Sequence, residues 1–272
     1  MQTSLEKSQT RKYLLFSMLA VGFAMLFANM ANQEITMLIT NLLYVPVPAA
    51  LVVLSIIIAA RFSIKGKHGI SWIFFVGLAL SWFIAEQLWI VYELVYEIDP
   101  FPSMADFFYF AGYPFLFLFS LYYLKPLKDA ISRKTIACVS LAAVAVLIPS
   151  LYIAYDTDSE MSSFEVALAL GYPIADAIVL APALIGVILF FRGEVNFLWS
   201  LVCIAIVLNV VADTGFLVSS MNGSYYSGHP VDLLFLWAYI LFSFGVYSHI
   251  KIFKKNNNHA SSQSLEDLRG DL

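Results

Sequence analysis

Positive charge in this sequence is confined to particular gaps between apolar runs. Eight apolar stretches run approximately over 13–31, 39–60, 70–96, 105–124, 136–155, 163–191, 195–219 and 230–250, and all 15 lysines and arginines fall in alternate gaps between them. Lys7, Arg11 and Lys12 precede the first stretch; Arg61, Lys65 and Lys67 follow the second. Lys125, Lys128, Arg133 and Lys134 follow the fourth, Arg192 the sixth, and Lys251, Lys254, Lys255 and Arg269 the eighth. Basic side chains beside membrane segments are retained on the cytoplasmic face. The expected object is a multi-pass protein of the cell membrane with both termini cytoplasmic.

Each stretch reaches or approaches the ~20 residues that a helix needs to cross a hydrocarbon core. Barrel strands would be about half as long and would alternate in polarity. The chain is 61% hydrophobic and 12% charged, against roughly 45–50% and about 25% in soluble domains, so its solvent is lipid. The predicted fold class is an all-α polytopic membrane protein with eight transmembrane helices. Acids show the opposite bias: Glu34, Glu97, Asp99, Asp156, Asp158 and Glu160 sit in the gaps without basic residues. The net charge of −4 is thus the sum of two opposed layers, and no basic groove is available for nucleic acid.

The first stretch is expected to stay as a helix, because its apolar run is long and Ala28-Asn-Met-Ala31 lacks a good signal-cleavage pattern. The polar end from Asn256 onward is expected to be disordered. Cys138 and Cys203 lie inside apolar stretches and read as two buried small hydrophobes rather than as a disulfide or metal pair.

The two halves of the sequence resemble one another. Trp72 precedes Glu86 by the same fourteen residues that separate Trp199 from Asp213, and an alanine precedes each acid. Asp106 and Asp232 follow 20 and 19 residues later, Tyr113 and Tyr239 lie seven beyond those, and Pro102 and Pro230 stand just upstream. Tyr44-Val-Pro46 matches Tyr172-Pro173 more loosely, and Arg61 and Arg192 close the corresponding stretches. The offset is 126 or 127 residues. Two similar four-helix halves over 13–127 and 128–255 are therefore expected, in parallel orientation about an axis along the membrane normal. The 1–12 segment and the 256–272 tail flank them on the cytoplasmic side.

No lysine or arginine falls within a membrane core, yet carboxylates do. Glu86, Asp176 and Asp213 lie at bilayer depth, where a charge costs ~2.5–3.5 kcal/mol on insertion scales, so such groups face protein or water. They are predicted to share a polar cavity. Asp106 follows Ser103 as in a capping box, and Asp232 lies in a first turn begun by Pro230. Helix capping is the first role expected of both, compatible with a place at the mouth of the pocket. Glu93 lies on the same face as Glu86, and Trp82 and Trp89 form a neighbouring stripe. Phe107, Phe108, Tyr109, Phe110 and Tyr113 sit where interfacial aromatic belts occur. Prolines at 46, 48, 114, 149, 173 and 182 fall inside the stretches and free carbonyls that can line cavities.

Several chemistries lack their residues. A retinal protein needs an intramembrane lysine, and a zinc hydrolase of the multi-helix kind needs about three converging histidines. Here His229 alone lies in a gap without basic residues, apart from His68, His249 and His259. There is no His-x-x-x-His, no Gly-x-Ser-x-Gly and no phosphate loop. No catalytic residue, metal or cofactor is assigned. A hydrolase using two aspartates alone stays open, because two carboxyl groups suffice for acid–base work.

The run Pro102-Ser-Met-Ala-Asp106-Phe-Phe-Tyr-Phe-Ala-Gly-Tyr113-Pro114 resembles a segment of the multi-spanning amino-terminal regions of uncharacterised bacterial signalling proteins. In those proteins a similar helix array precedes diguanylate cyclase, phosphodiesterase or histidine kinase domains. Tyr172-Pro-Ile-Ala-Asp176 and Ala212-Asp213 are similar to later segments of that array. The resemblance, over about residues 70–250, implies a membrane-embedded sensory or ligand-binding module. No output domain follows the eighth stretch in this sequence, so signalling is expected to pass to a separate cytoplasmic partner.

The expected function is a sensory, ligand-binding module in the lipid bilayer with an outward-facing acidic pocket. Its site is predicted from Glu86, Asp176, Asp213, Asp106, Asp232, Tyr113 and Tyr239. A small proton- or cation-coupled transporter is the alternative, because repeats, broken helices and midplane acids suit that class as well. An intramembrane enzyme acting on lipid or isoprenoid, and a structural subunit of a larger complex, are the further alternatives.

Overall fold

The computed structural model describes the backbone of residues 4–61, 67–155, 162–191 and 197–270, with side chains in 9–61, 69–155, 162–191 and 199–250. Among the described residues all regular structure is helical: α1 (Ser4–Ala31), α2 (Gln33–Leu43), α3 (Pro46–Arg61), α4 (Lys67–Ile90), α5 (Met104–Leu124), α6 (Arg133–Tyr155), α7 (Ser163–Phe191), α8 (Phe197–Met221) and α9 (Pro230–Gly270). They supply eight segments long and apolar enough to cross a membrane, α2 and α3 together making the second, Gln33–Arg61. That segment begins at Gln33 and not at 39 as expected, because Thr36, Thr40 and Asn41 turn their polar groups into the bundle.

Local chemistry sets the helix ends. Asn32 caps α2 by accepting the Ile35 N–H at 2.8 Å. The chain turns at Tyr44 and Val45 and restarts at Pro46, which has no N–H to offer the preceding turn and suits a first helical position. At its far end α4 widens into a π-helical turn over Val91–Val95. The predicted capping box is present on α5: Ser103 Oγ accepts the Ala105 N–H at 3.1 Å, and Asp106 Oδ2 accepts the Ser103 N–H at 2.7 Å. Helix α9 runs from Pro230 to Gly270.

The centre of the bundle is built from two close hairpins, α4 with α5 and α8 with α9. Helix α3 packs against α4 and α9, and α7 packs against α5 and α8. Helices α1 and α6 lie outermost, presenting Phe16, Phe27 and Met30, and Leu141, Ile148 and Tyr152, away from the protein. In a bilayer these exposed apolar faces meet lipid. Cys138 shares that exposed side of α6, contrary to the expected burial, whereas Cys203 is buried; both are free.

Toward the ends of α4, α5, α8 and α9 nearest Lys67 and Lys125, the core is a dense aromatic layer. Trp72, Phe75, Phe119, Trp199 and Phe242 are fully buried there. Tyr123 stacks on Trp199 with centroids 3.6 Å apart, and His249 meets Trp72 edge-on at 5.4 Å. The Tyr123 hydroxyl lies 2.8 Å from His249 Nε2, which joins α5 to α9. At 1.5 Å per residue, Glu86 lies roughly 21 Å along α4 from Trp72.

Candidate functional site

At the opposite end of the bundle, α2, α4, α5, α7, α8, α9 and the 222–229 turn surround a cavity of about 1020 Å³, counting the part open to solvent. Six of the seven predicted residues line it: Glu86, Asp106, Tyr113, Asp213, Asp232 and Tyr239. Asp176 stands directly behind Tyr113, buried on α7. Among the described residues the lining contains no lysine, arginine or histidine.

Each carboxyl group is tied to a tyrosine. Tyr239 donates to Glu86 Oε1 at 2.7 Å. The Tyr113 hydroxyl lies 2.8 Å from Asp176 Oδ1 and 3.2 Å from Asp213 Oδ2, the latter also accepting from Asn209 Nδ2 at 2.7 Å. Tyr172 donates to Asp106 Oδ1 at 2.7 Å, and Tyr225 to Asp232 Oδ1 at 3.0 Å. A buried carboxyl group without a donor would bear the full desolvation cost, and the phenols supply that donor without bringing a second charge.

Asp106 and Asp232 combine the two roles weighed for them. Each uses one oxygen to hold the backbone N–H before its helix, Ser103 at 2.7 Å and Gly228 at 2.6 Å. The other oxygen takes a phenol from elsewhere in the cavity wall. Gly228 sits at φ +100° against Thr36, a conformation and a closeness that favour glycine. Glu93, in the π-helical turn, accepts from Asn41 Nδ2 at 2.7 Å and from Ser227 Oγ at 2.8 Å, pinning the 222–229 turn to α2.

Sequence reasoning left out Asn209 and Tyr225, and noted Tyr44 in the repeat and Tyr172 in the repeat and the resemblance without assigning either to the site; all four line the cavity. Tyr109 is expected only in an interfacial belt and Tyr113 both there and in the site; both line the cavity, while Phe107 alone of that group is strongly exposed. Trp82 and Trp89 contribute indole walls, and the Trp82 Nε1–H is held by the Tyr109 carbonyl at 3.1 Å. In the turn, burial and next the Asp232 carboxyl hold the Tyr225 phenol well above its usual range, so it remains a donor. Partial burial lowers the His229 imidazole below its ordinary value. Among the described residues no three His, Cys, Asp or Glu side chains converge to hold a metal ion.

Fold and cavity together define an integral membrane protein of eight spanning helices with an acid- and tyrosine-lined pocket. No family model, no curated protein and no solved structure matches the chain.

Proposed function

We propose that this is a sensory, ligand-binding module of the cell membrane, with its pocket on the extracytoplasmic side and its aromatic layer on the cytoplasmic side. The observation that carries the reading is the cavity itself. Four carboxyl groups are held at its wall by hydrogen bonds, with no basic side chain among the lining residues to neutralise them. Groups so costly to bury are retained in membrane proteins where something is recognised or moved. The wall comes from six different helices, so an occupant bridging them would bias their packing, which is the route to a cytoplasmic partner.

The pocket lies, in this reading, at the junction of two similar four-helix halves. Support comes from contacts that recur at the sequence offset. Tyr239 with Glu86 (2.7 Å) is matched by Tyr113 with Asp213 (3.2 Å). Tyr172 with Asp106 (2.7 Å) is matched by Tyr44 with the Asp232 carbonyl (3.2 Å). The ring pairs Tyr44–Tyr239 and Tyr113–Tyr172, at 6.5 and 6.3 Å, are matched in the same way. Asp176 breaks the correspondence, because Pro48 stands 128 residues before it.

The test is access. With Cys138→Ser and Cys203→Ala removing the native thiols, Met221→Cys at the cavity wall is expected to react with a membrane-impermeant maleimide added to intact cells. Labelling only after the cytoplasmic side is opened would overturn the reading.

A transporter is the second reading, favoured by the break between α2 and α3 at Tyr44 beside the cavity. Accumulation of a cationic solute in sealed vesicles, driven by a proton gradient, would favour it over a sensor.

A further inference from the structure

We propose that the cavity takes a small organic cation, an ammonium seated among aromatic rings, in exchange for a proton held between Asp176, Tyr113 and Asp213. The inference rests on the cavity being a ligand site and names the class of ligand.

The proton follows from counting donors. The Tyr113 hydroxyl has one hydrogen but lies within bonding distance of two carboxyl oxygens, at 2.8 and 3.2 Å. A phenol donates once, so the second oxygen–oxygen contact needs a proton on a carboxyl group. Asp213 Oδ2 already accepts from Asn209 at 2.7 Å, which makes it the acceptor and places the extra proton on Asp176. Asp176 then donates to Tyr113, and Tyr113 donates to Asp213. Around this trio stand Tyr172 of α7, which reaches on to Asp106 of α5, Glu86 of α4 and Tyr239 of α9. None of these is a cation.

The ligand class follows from what the site lacks. Among the described residues its wall offers acids and phenols but no positive charge, and it includes Trp82, Trp89 and Tyr109, rings of the kind that attract ammonium groups once water is excluded. Two wall hydroxyls, Thr40 and Ser220, have no partner among the described residues; both oxygens are closed to solvent, so an N–H donor would reach them only after a rotamer change. An ammonium beside these carboxyl groups favours their ionised form and so loosens the hold on the shared proton. When the ammonium enters, Asp176 passes its proton to Tyr113, Tyr113 passes its own to Asp213 at the cavity wall, and Asp213 releases it to bulk water, so one positive charge arrives and one leaves.

The experiment uses the full chain in lipid nanodiscs, with tryptophan fluorescence and calorimetry in two buffers of different protonation enthalpy. The probes are n-butylammonium, tetramethylammonium, n-butanol and sodium ion. Saturable binding of an ammonium with close to one proton released, and no saturation by n-butanol, is the expected result. Asp176→Asn is expected to abolish proton release while keeping the helical content of the parent. Glu86→Gln is expected to weaken ammonium binding by roughly tenfold or more, as for loss of a hydrogen bond to a charged group. Binding of n-butanol as tight as that of n-butylammonium would overturn the ligand class while leaving a ligand site in place. Sodium binding in preference to both ammonium ions, ammonium binding without proton release, or no binding of either ammonium ion would each overturn the proposal. The maleimide access experiment stands independently of all these outcomes.

Discussion

Tyr239 donates its hydroxyl to Glu86 at 2.7 Å and so ties α9 to α4 across the cavity. Glu86 also faces Tyr109, whereas Tyr113 alone of the phenols bridges Asp176 and Asp213. The two tyrosines occupy matching places in the sequence but carry different loads. Tyr239→Phe is therefore expected to cost about 1 kcal/mol and Tyr113→Phe about 2–3 kcal/mol, since the latter leaves two buried carboxyl groups short of a partner. Unfolding of the two variants in mixed micelles checks the order. Equal costs would mean that the carboxyl pair repacks around the missing hydroxyl.

The aromatic layer is expected to carry much of the stability. Trp199 is 2% exposed and stacks on Tyr123 at 3.6 Å, so Trp199→Ala should cost about 3–5 kcal/mol, as for other large-to-small core changes. Phe16→Ala, on the exposed face of α1, should cost far less, because its ring is exchanged for lipid contact. Thermal melting in one detergent compares the two directly.

Gly112 lets α5 approach α4. A Cβ there would collide with the Trp82 indole, whose N–H is held by the Tyr109 carbonyl. Gly112→Ala should destabilise the protein by about 1–3 kcal/mol, the usual range for overpacking. It should also shift tryptophan emission, because Trp82 is a wall of the cavity. An unchanged spectrum would mean that the strain is relieved elsewhere.

Acid should loosen the start of α9. His229 Nδ1 accepts the Val231 N–H at 3.3 Å, which only a neutral imidazole can do. Burial lowers its folded pKa below the ordinary value, so its contribution to stability is present above that ordinary value and is lost as pH falls through the folded one. Melting temperatures between pH 8 and pH 5 should fall more steeply for the parent than for His229→Asn, whose side chain does not titrate. Parallel slopes would remove the histidine from the acid response.

The spans were legible because hydropathy and length report burial in lipid directly. The start of α2 was not, since Thr36, Thr40 and Asn41 are buried by the protein while Ile35, Leu38 and Leu42 are exposed. A running average over a helix cannot tell one face from the other. The acids of the cavity were legible because each is expensive at its depth. Their tyrosine partners were not, because the bonds join residues such as Tyr172 and Asp106 that lie 66 positions apart. Composition alone put Tyr109 in a belt, whereas the repeat spacing had already marked Tyr113 for the site; only the faces they present on α5 send both inward.

Orientation has its own test, from charge alone. The gap holding Asp156, Asp158 and Glu160 has no basic residue, while Lys125, Lys128, Arg133 and Lys134 crowd the preceding one. Moving that second cluster across a membrane would work against the retention of basic residues inside. A periplasmic reporter enzyme fused after Asp158 should be active, and the same enzyme fused after Lys128 should be silent, with a cytoplasmic reporter giving the reverse. The opposite pattern would put the mouth of the cavity at the cytoplasm. Glu86, Asp213 and Asp232 would then meet intracellular solutes, and a sensor of the exterior would no longer be tenable.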